Sequence, residues 1–363
     1  MTTNNRLHHI DSARGLAALA VVLYHISGGY ADKRLMGINE QHWFAFFING
    51  ADAVSFFFVL SGFVLSYKYL KTNTLPDLKP YVIGRVFRLY PAFLFILLVH
   101  ILYDYRGKNW AEWLAAWQAD WFGHYREAAL IYMHTPHLGQ AWTLSIELVI
   151  SLCIPLLILV MQHRKSYLLF FMGLSCWVQI FITPFFFHFC LGILLAHWMT
   201  QTPEIAEKWF IKIKKNAYWV LPLLWIAFSL RHLLKLLKID TIENWFASFS
   251  ALSCFTLSGF SAFLILLILL HSERLKSWLS NGMLLFLGKI SYSLYLCHWF
   301  ILYGYFNNKH YNIMARGFSD FQATVLVSGA TLVVSLLVAS FMYFFIEKPF
   351  IRYGKYFLNY FSK

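Results

Sequence analysis

In the first apolar stretch of the chain, Asp11, Arg14 and His25 stand among Ala, Val and Leu. An ionisable side chain inside a membrane helix is costly and marks a functional position by default. Arg14 and His25 are eleven residues apart, close to three helical turns. On a helix they therefore share a face, separated by roughly 16 Å along the axis. A cation near one end and an imidazole deeper in suit a site that holds an anionic head and works on a distant tail. The structural alternative is a snorkelling Arg and a His satisfied by a neighbouring helix.

Further along, Ser61-Gly62 makes a small notch within Val54-Ser-Phe-Phe-Phe-Val-Leu-Ser-Gly-Phe-Val-Leu-Ser66. Such a notch lets helices approach closely, or leaves room for a bound acyl or thioester group. Arg85 and Arg88 open the next apolar run three residues apart, so their guanidiniums are expected to share a face at the membrane surface. One Arg there serves as an anchor; a pair also suits bidentate recognition of phosphates. No glycine-rich phosphate loop accompanies them, which excludes the usual nucleotide-binding folds.

Glu147, after Trp142-Thr-Leu-Ser-Ile, is expected at the outer end of a span, where it would orient an imidazole or an acceptor hydroxyl, or simply be solvated. Tyr292, Tyr295 and His298 follow at helical spacing and could line a polar cavity. Tyr and His are also ordinary residues of a membrane interface. Glu347-Lys-Pro349 reads as a helix stop and interfacial anchor.

The elements that must position these residues are helices in a bilayer. Hydrophobic residues make up 59% of the 363 and charged ones 13%, with a mean hydropathy of +0.56. That leaves too little polar surface to cover a globule in water. Ten candidate spans are expected, at 11–30, 47–68, 87–104, 142–161, 167–182, 184–199, 216–233, 247–270, 283–306 and 322–346. The pair around Thr183-Pro184 reads either as two short helices or as one broken helix. The fold class expected is thus an all-α polytopic integral membrane protein of about ten transmembrane helices. A single transmembrane domain over 1–346 is followed by a short basic cytoplasmic tail, 347–363.

The net charge of +13 sits in short clusters between apolar runs, which argues against nucleic acid as a partner and for contact with anionic lipid. The clusters Lys68 to Arg88, Lys208 to Lys215 and the tail from Lys348 set both termini inside. Five Cys without paired spacing give neither a disulfide framework nor a zinc site. No separate signal peptide is read at the N-terminus. The stretch 105–141 is rich in Trp, and an interfacial helix is expected around Trp110, Trp113 and Trp117.

Taken in order, these motifs resemble the membrane-bound acyltransferase-3 family, bacterial O-acyltransferases that decorate lipopolysaccharide, capsule, peptidoglycan and other glycans. The resemblance runs nearly end to end: Asp11-Ser-Ala-Arg14 through Tyr24-His25, Phe57-Phe-Val-Leu-Ser-Gly62, Arg85-x-x-Arg88 with Tyr90-Pro91, Trp142-Thr-Leu-Ser-Ile-Glu147, Ile290-Ser-Tyr-Ser-Leu-Tyr-Leu-Cys-His298 and Glu347-Lys-Pro349. It implies an acyl-CoA donor, commonly acetyl-CoA, entering from the cytoplasm, and a glycan or lipid-linked oligosaccharide acceptor. No permanently bound cofactor is implied. It further implies that His25 and Arg14 are essential and that Arg85 and Arg88 contact the phosphates of CoA. Acetyl is favoured by the family and by the bulky Phe around Gly62. Two departures stand out. Relatives often carry His where this chain has Gln140. Many also bear an esterase-like domain that is not expected here, so transfer would fall to the membrane domain alone or to a separate partner.

The mechanism expected has His25 as general base on the acceptor hydroxyl, with Arg14 holding a donor phosphate or stabilising developing charge. An acyl-histidine route remains open at this stage. The rival reading is a transporter or flippase for a lipid-linked saccharide. Against it stand the lack of a visible repeat and an expected scarcity of buried acids.

Overall fold

The computed structural model describes residues 7–27, 46–130, 137–163, 185–237, 240–306 and 309–361. Among them the regular elements are all helical. In chain order they are α1 (His8–Ile26), α2 (Gly50–Thr72), α3 (Leu78–Asp104), α4 (Trp110–Ala119), α5 (Trp121–Ala128), a 3-10 turn (Gly139–Ala141) and α6 (Trp142–His163). Then come α7 (Phe186–Gln201), α8 (Pro203–Lys215), α9 (Ala217–Phe228), α10 (Leu230–Leu236), α11 (Asp240–His271), α12 (Glu273–Leu279) and α13 (Gly282–Trp299). A π-helical segment (Phe300–Phe306), α14 (Lys309–Met314), α15 (Asp320–Met342), a second π-helical segment (Tyr343–Glu347) and α16 (Lys348–Phe361) complete the chain.

Six of these are long and apolar enough to cross a membrane, over Gly50–Thr72, Leu78–Asp104, Gly139–Gln162, Cys254–His271, Gly282–Phe306 and Asp320–Tyr360. Their outward faces carry exposed Leu98, Leu156, Val333 and Leu337, while Ser55, Ser66, Ser151, Thr331 and Ser335 are buried. Apolar outside and small polar inside is the arrangement of a chain solvated by lipid. This is an all-α membrane protein. Of the other expected spans, 11–30 becomes α1, 184–199 becomes the 16-residue α7, and 216–233 is divided into α9 and α10 at buried Ser229. The expected span 167–182 and Thr183-Pro184 lie outside the described residues.

The chain forms two compact units, one of residues 1–76 and 150–289, the other of 77–149 and 290–363. In the first, α2 is the central helix and packs on α1, α7 and α11. Its closest approach is to α7. A Cβ on Gly62 would fall 2.3 Å from the Phe189 carbonyl oxygen, and one on Gly192 would fall 2.1 Å from that of Val59. Only hydrogen fits there. The Ser55 and Ser258 hydroxyls share a hydrogen bond of 2.7 Å between α2 and α11. Gly15 and Gly288 bring α1 onto the start of α13, since a Cβ on either would meet the other helix's backbone.

In the second unit, α3 is held by α16, with Gly354 set against the Phe87 ring. The Glu347-Lys-Pro349 stop expected from the sequence is overturned. Pro349 lacks the N–H that an interior turn would need, and the helix widens into the π segment Tyr343–Glu347 just ahead of it. It then resumes as α16, so what was expected to be a tail is helical through Phe361. Glu347, expected as an interfacial anchor, is instead buried and accepts a 2.9 Å hydrogen bond from Ser293.

Candidate active site

In the first unit, Arg14 and His25 lie on one unbroken helix, as their spacing requires. Arg14 has its Nη1 3.4 Å from Asp11 Oδ1, with both side chains about one-sixth exposed at 16% and 17%. The neighbouring Gly15–Gly288 contact fixes this end of α1. His25 occupies the last turn and is only 9% exposed, its ring lying edge-on to Tyr24 at 5.6 Å. The imidazole therefore sits inside protein rather than against lipid.

Around Tyr24 lies a polar cluster that the sequence reading missed. The Tyr24 ring also meets His232 edge-on at 5.6 Å, and His232 Nδ1 is 3.5 Å from Asp52 Oδ2. That Asp52 oxygen accepts from Asn49 Nδ2 at 2.7 Å, and Asn49 Nδ2 also donates to Ser229 Oγ at 2.9 Å. Asn49 caps α2 as well, its side-chain oxygen accepting from the Asp52 backbone N–H at 3.0 Å. Asn49, Asp52 and His232 are all buried. An Asp–His pair thus stands one aromatic ring away from His25. An Asn three residues ahead of an acid at a helix start is the local signal for the cap. Nothing local points to His232, which lies 180 residues further on.

Ser61-Gly62 reads either as a notch for close helix packing or as room for an acyl group. The geometry gives Gly62 the packing role, because the Phe189 backbone fills that face of α2.

In the second unit, the expected placement of Arg85, Arg88 and Glu147 is corrected. α3 begins at Leu78, so Arg85 lies two turns inside the helix rather than at its mouth. Its side chain is buried and donates from Nη2 to Glu147 Oε1 at 2.8 Å. Glu147 is accordingly an internal partner, not a residue of the outer end. The segment leading into α6 is itself packed within the protein, with Leu138, Gln140 and Ala141 all buried. Arg88 is exposed. The two guanidiniums therefore part company, one turned inward to a carboxylate and the other outward.

Tyr292, Tyr295 and His298 do fall along one stripe of α13, and their polar atoms brace helices. The Tyr292 hydroxyl donates to the Leu89 carbonyl at 2.6 Å, and the Tyr295 hydroxyl lies 2.8 Å from Thr143 Oγ1 and 3.2 Å from the Gln140 carbonyl. His298 Nδ1 is 2.7 Å from the Tyr295 carbonyl. Gln140 donates from Nε2 to the Leu296 carbonyl at 2.7 Å.

The loop helices hold a second group that the sequence did not announce. Trp110, Trp113 and Trp117 stack in succession on α4, the helix expected there, and Trp117 stacks on His124 at 4.4 Å. Glu127, fully buried, accepts from the backbone of Leu138 at 2.9 Å and lies 2.7 Å from His137 Nδ1. Burial pulls the His137 pKa down, but the hydrogen bond and charge of Glu127 outweigh it and hold His137 above its ordinary 6.5. Burial, and then the neighbouring His137, push His124 the other way. Asp52, Glu127 and Glu347 are thus three buried acids where few were expected, and each has donors around it.

The described helices are those of an all-α membrane protein that carries an Arg and a buried His on α1. Residues 7–343 match the family model described as an acyltransferase domain, and the chain belongs to that family. It is 24% identical to a candidate O-acetyltransferase of Staphylococcus aureus strain COL, over 96% of this chain and 58% of that protein. It is likewise 24% identical to the O-acetyltransferase OatA of S. aureus strain NCTC 8325, over 95% of this chain and 57% of the relative. The chain therefore spans little more than half the length of these relatives. No solved structure matches it.

Proposed function

We propose that the protein is a membrane O-acyltransferase that moves an acetyl group from acetyl-CoA to a hydroxyl of a cell-envelope glycan. The observation that carries this reading is the buried His25 on the same helix as Arg14, within a chain of the acyltransferase family. The relatives named as O-acetyltransferases support the choice of acetyl and of an oxygen acceptor.

In the reaction, an imidazole nitrogen of His25 takes the proton of the acceptor hydroxyl as its oxygen attacks the thioester carbonyl carbon. The C–S bond then breaks, and the CoA thiolate takes the proton back from the imidazolium. A positioned base of this kind contributes about 10²- to 10⁴-fold. Arg14, roughly 16 Å along the helix from His25, balances charge on the head of the donor rather than at the reacting carbonyl. Exposed Arg88 meets the phosphates of CoA, while Arg85, turned inward and held by Glu147, braces the helix that carries it. The protein lies in the bacterial inner membrane with both termini cytoplasmic, the orientation that the Lys and Arg clusters favour.

The test is transfer of labelled acetyl from acetyl-CoA to envelope glycan by the purified protein in lipid. His25→Ala is expected to lose transfer while remaining inserted and folded. Wild-type rates in that variant end the general-base assignment. Transport of a lipid-linked saccharide without any consumption of acetyl-CoA would replace the reading altogether.

A further inference from the structure

At the Asp104 end of α3, the second unit contains a cavity of about 560 Å³, lined among others by His100, Tyr103, Trp299, Tyr303, Lys309 and Asn312. Its size falls in the range of small-molecule sites. Three features make it a built site. The π-helical segment Phe300–Phe306 widens the helix directly beside it, a distortion that recurs at functional sites. The Trp299 indole is seated against Gly139, where a Cβ would fall 2.3 Å from the ring, and it meets Tyr303 at 4.5 Å. The aromatic wall is therefore held in place by backbone. Third, His100 lines the cavity, is only 9% exposed, and has its Nδ1 buried without a hydrogen-bond partner. A buried polar nitrogen left unmet is a place for a ligand or water to bond.

From these features we infer that this cavity binds the saccharide acceptor, an inference that rests on the glycan O-acylation proposed above. A sugar ring presents an apolar C–H face and a polar edge. Trp299 and Tyr303 offer flat surfaces for the first. Asn312, the imidazoles of His100 and His137, Asp104 and the cations Arg106 and Lys309 offer both donors and acceptors for the second. Two cations against one carboxylate favour a saccharide that bears an acidic substituent. Tyr292 and Tyr295 do not take this role, since their hydroxyls are already engaged with Leu89, Thr143 and Gln140. The acceptor site begins one turn further along, at Trp299.

The experiment uses the full chain in lipid nanodiscs, acetyl-CoA, and envelope glycan extracted from cells lacking this protein. Trp299→Ala and Tyr303→Ala are expected to raise the KM for glycan about tenfold, the size of one lost aromatic contact, with the KM for acetyl-CoA unchanged. Independently of activity, Asn312→Cys is expected to react several times more slowly with a charged maleimide when glycan is present. An unchanged glycan KM, or labelling that glycan does not slow, overturns the site. Should the wild type transfer acetyl to no glycan, the enzyme reading fails, and the labelling result alone decides whether a saccharide site exists. If Trp299→Ala does not fold, Tyr303→Ala and the labelling decide.

Discussion

Arg85 Nη2 and Glu147 Oε1 meet at 2.8 Å, joining two helices through side chains 62 residues apart in sequence. The guanidinium is 7% exposed and the carboxylate 26%. A buried cation depends on its counter-charge far more than a surface one does, since removing one partner leaves the other desolvated and unpaired.

Glu147→Gln is accordingly expected to cost about 1–3 kcal/mol, the penalty of an under-satisfied buried group. Thermal unfolding of the purified protein in detergent measures it as a lowered midpoint. An unshifted midpoint would show that water already satisfies Arg85.

The Asp52–His232 pair stands one ring from His25, through Tyr24. Asp52→Asn keeps the shape of the cluster and removes its charge. We expect kcat to fall roughly tenfold through loss of imidazole positioning, with the KM for acetyl-CoA unchanged. His25→Ala and the double variant should then be equally inactive. A kcat equal to wild type in Asp52→Asn refutes the connection.

His137 is held above its ordinary 6.5 by Glu127, after burial has opposed it. A group with a raised folded pKa gives stability that is complete below its unfolded value and fades as pH rises through the folded one. The junction of α5 with Leu138 should therefore open more readily as pH climbs above about 6.5. Hydrogen exchange of the Leu138 amide, or trypsin cleavage at Arg126, reads this opening. Glu127→Gln should flatten the dependence, and a persistent slope in that variant would assign it elsewhere.

Gly62→Ala and Gly84→Ala test packing against each other within one protein. The first places a methyl 2.3 Å from a backbone oxygen, while the second meets nothing within 4 Å. Overpacking at Gly62 is expected to cost about 1–3 kcal/mol, whereas Gly84→Ala gains roughly 0.5–1 kcal/mol of helix propensity. Equal unfolding midpoints for the two variants would mean that α2 and α7 can separate freely.

How much was legible beforehand varied with the range of the signal. Composition and apolar runs determined that this is a helical membrane protein, because each span must satisfy its own backbone in lipid. The eleven-residue step from Arg14 to His25 survives intact, as does the Trp face of α4, since both depend only on the pitch of one helix. What the tertiary structure alone decided are the partners: Glu147 for Arg85, Asp52 for His232, Ser293 for Glu347. Each turns on the depth at which one helix begins beside another. Leu138, Gln140 and Ala141 lie buried ahead of α6, and Glu147 beyond them meets Arg85. A periodicity of 3.6 residues states which face a side chain occupies, but not which helix stands opposite or at what height.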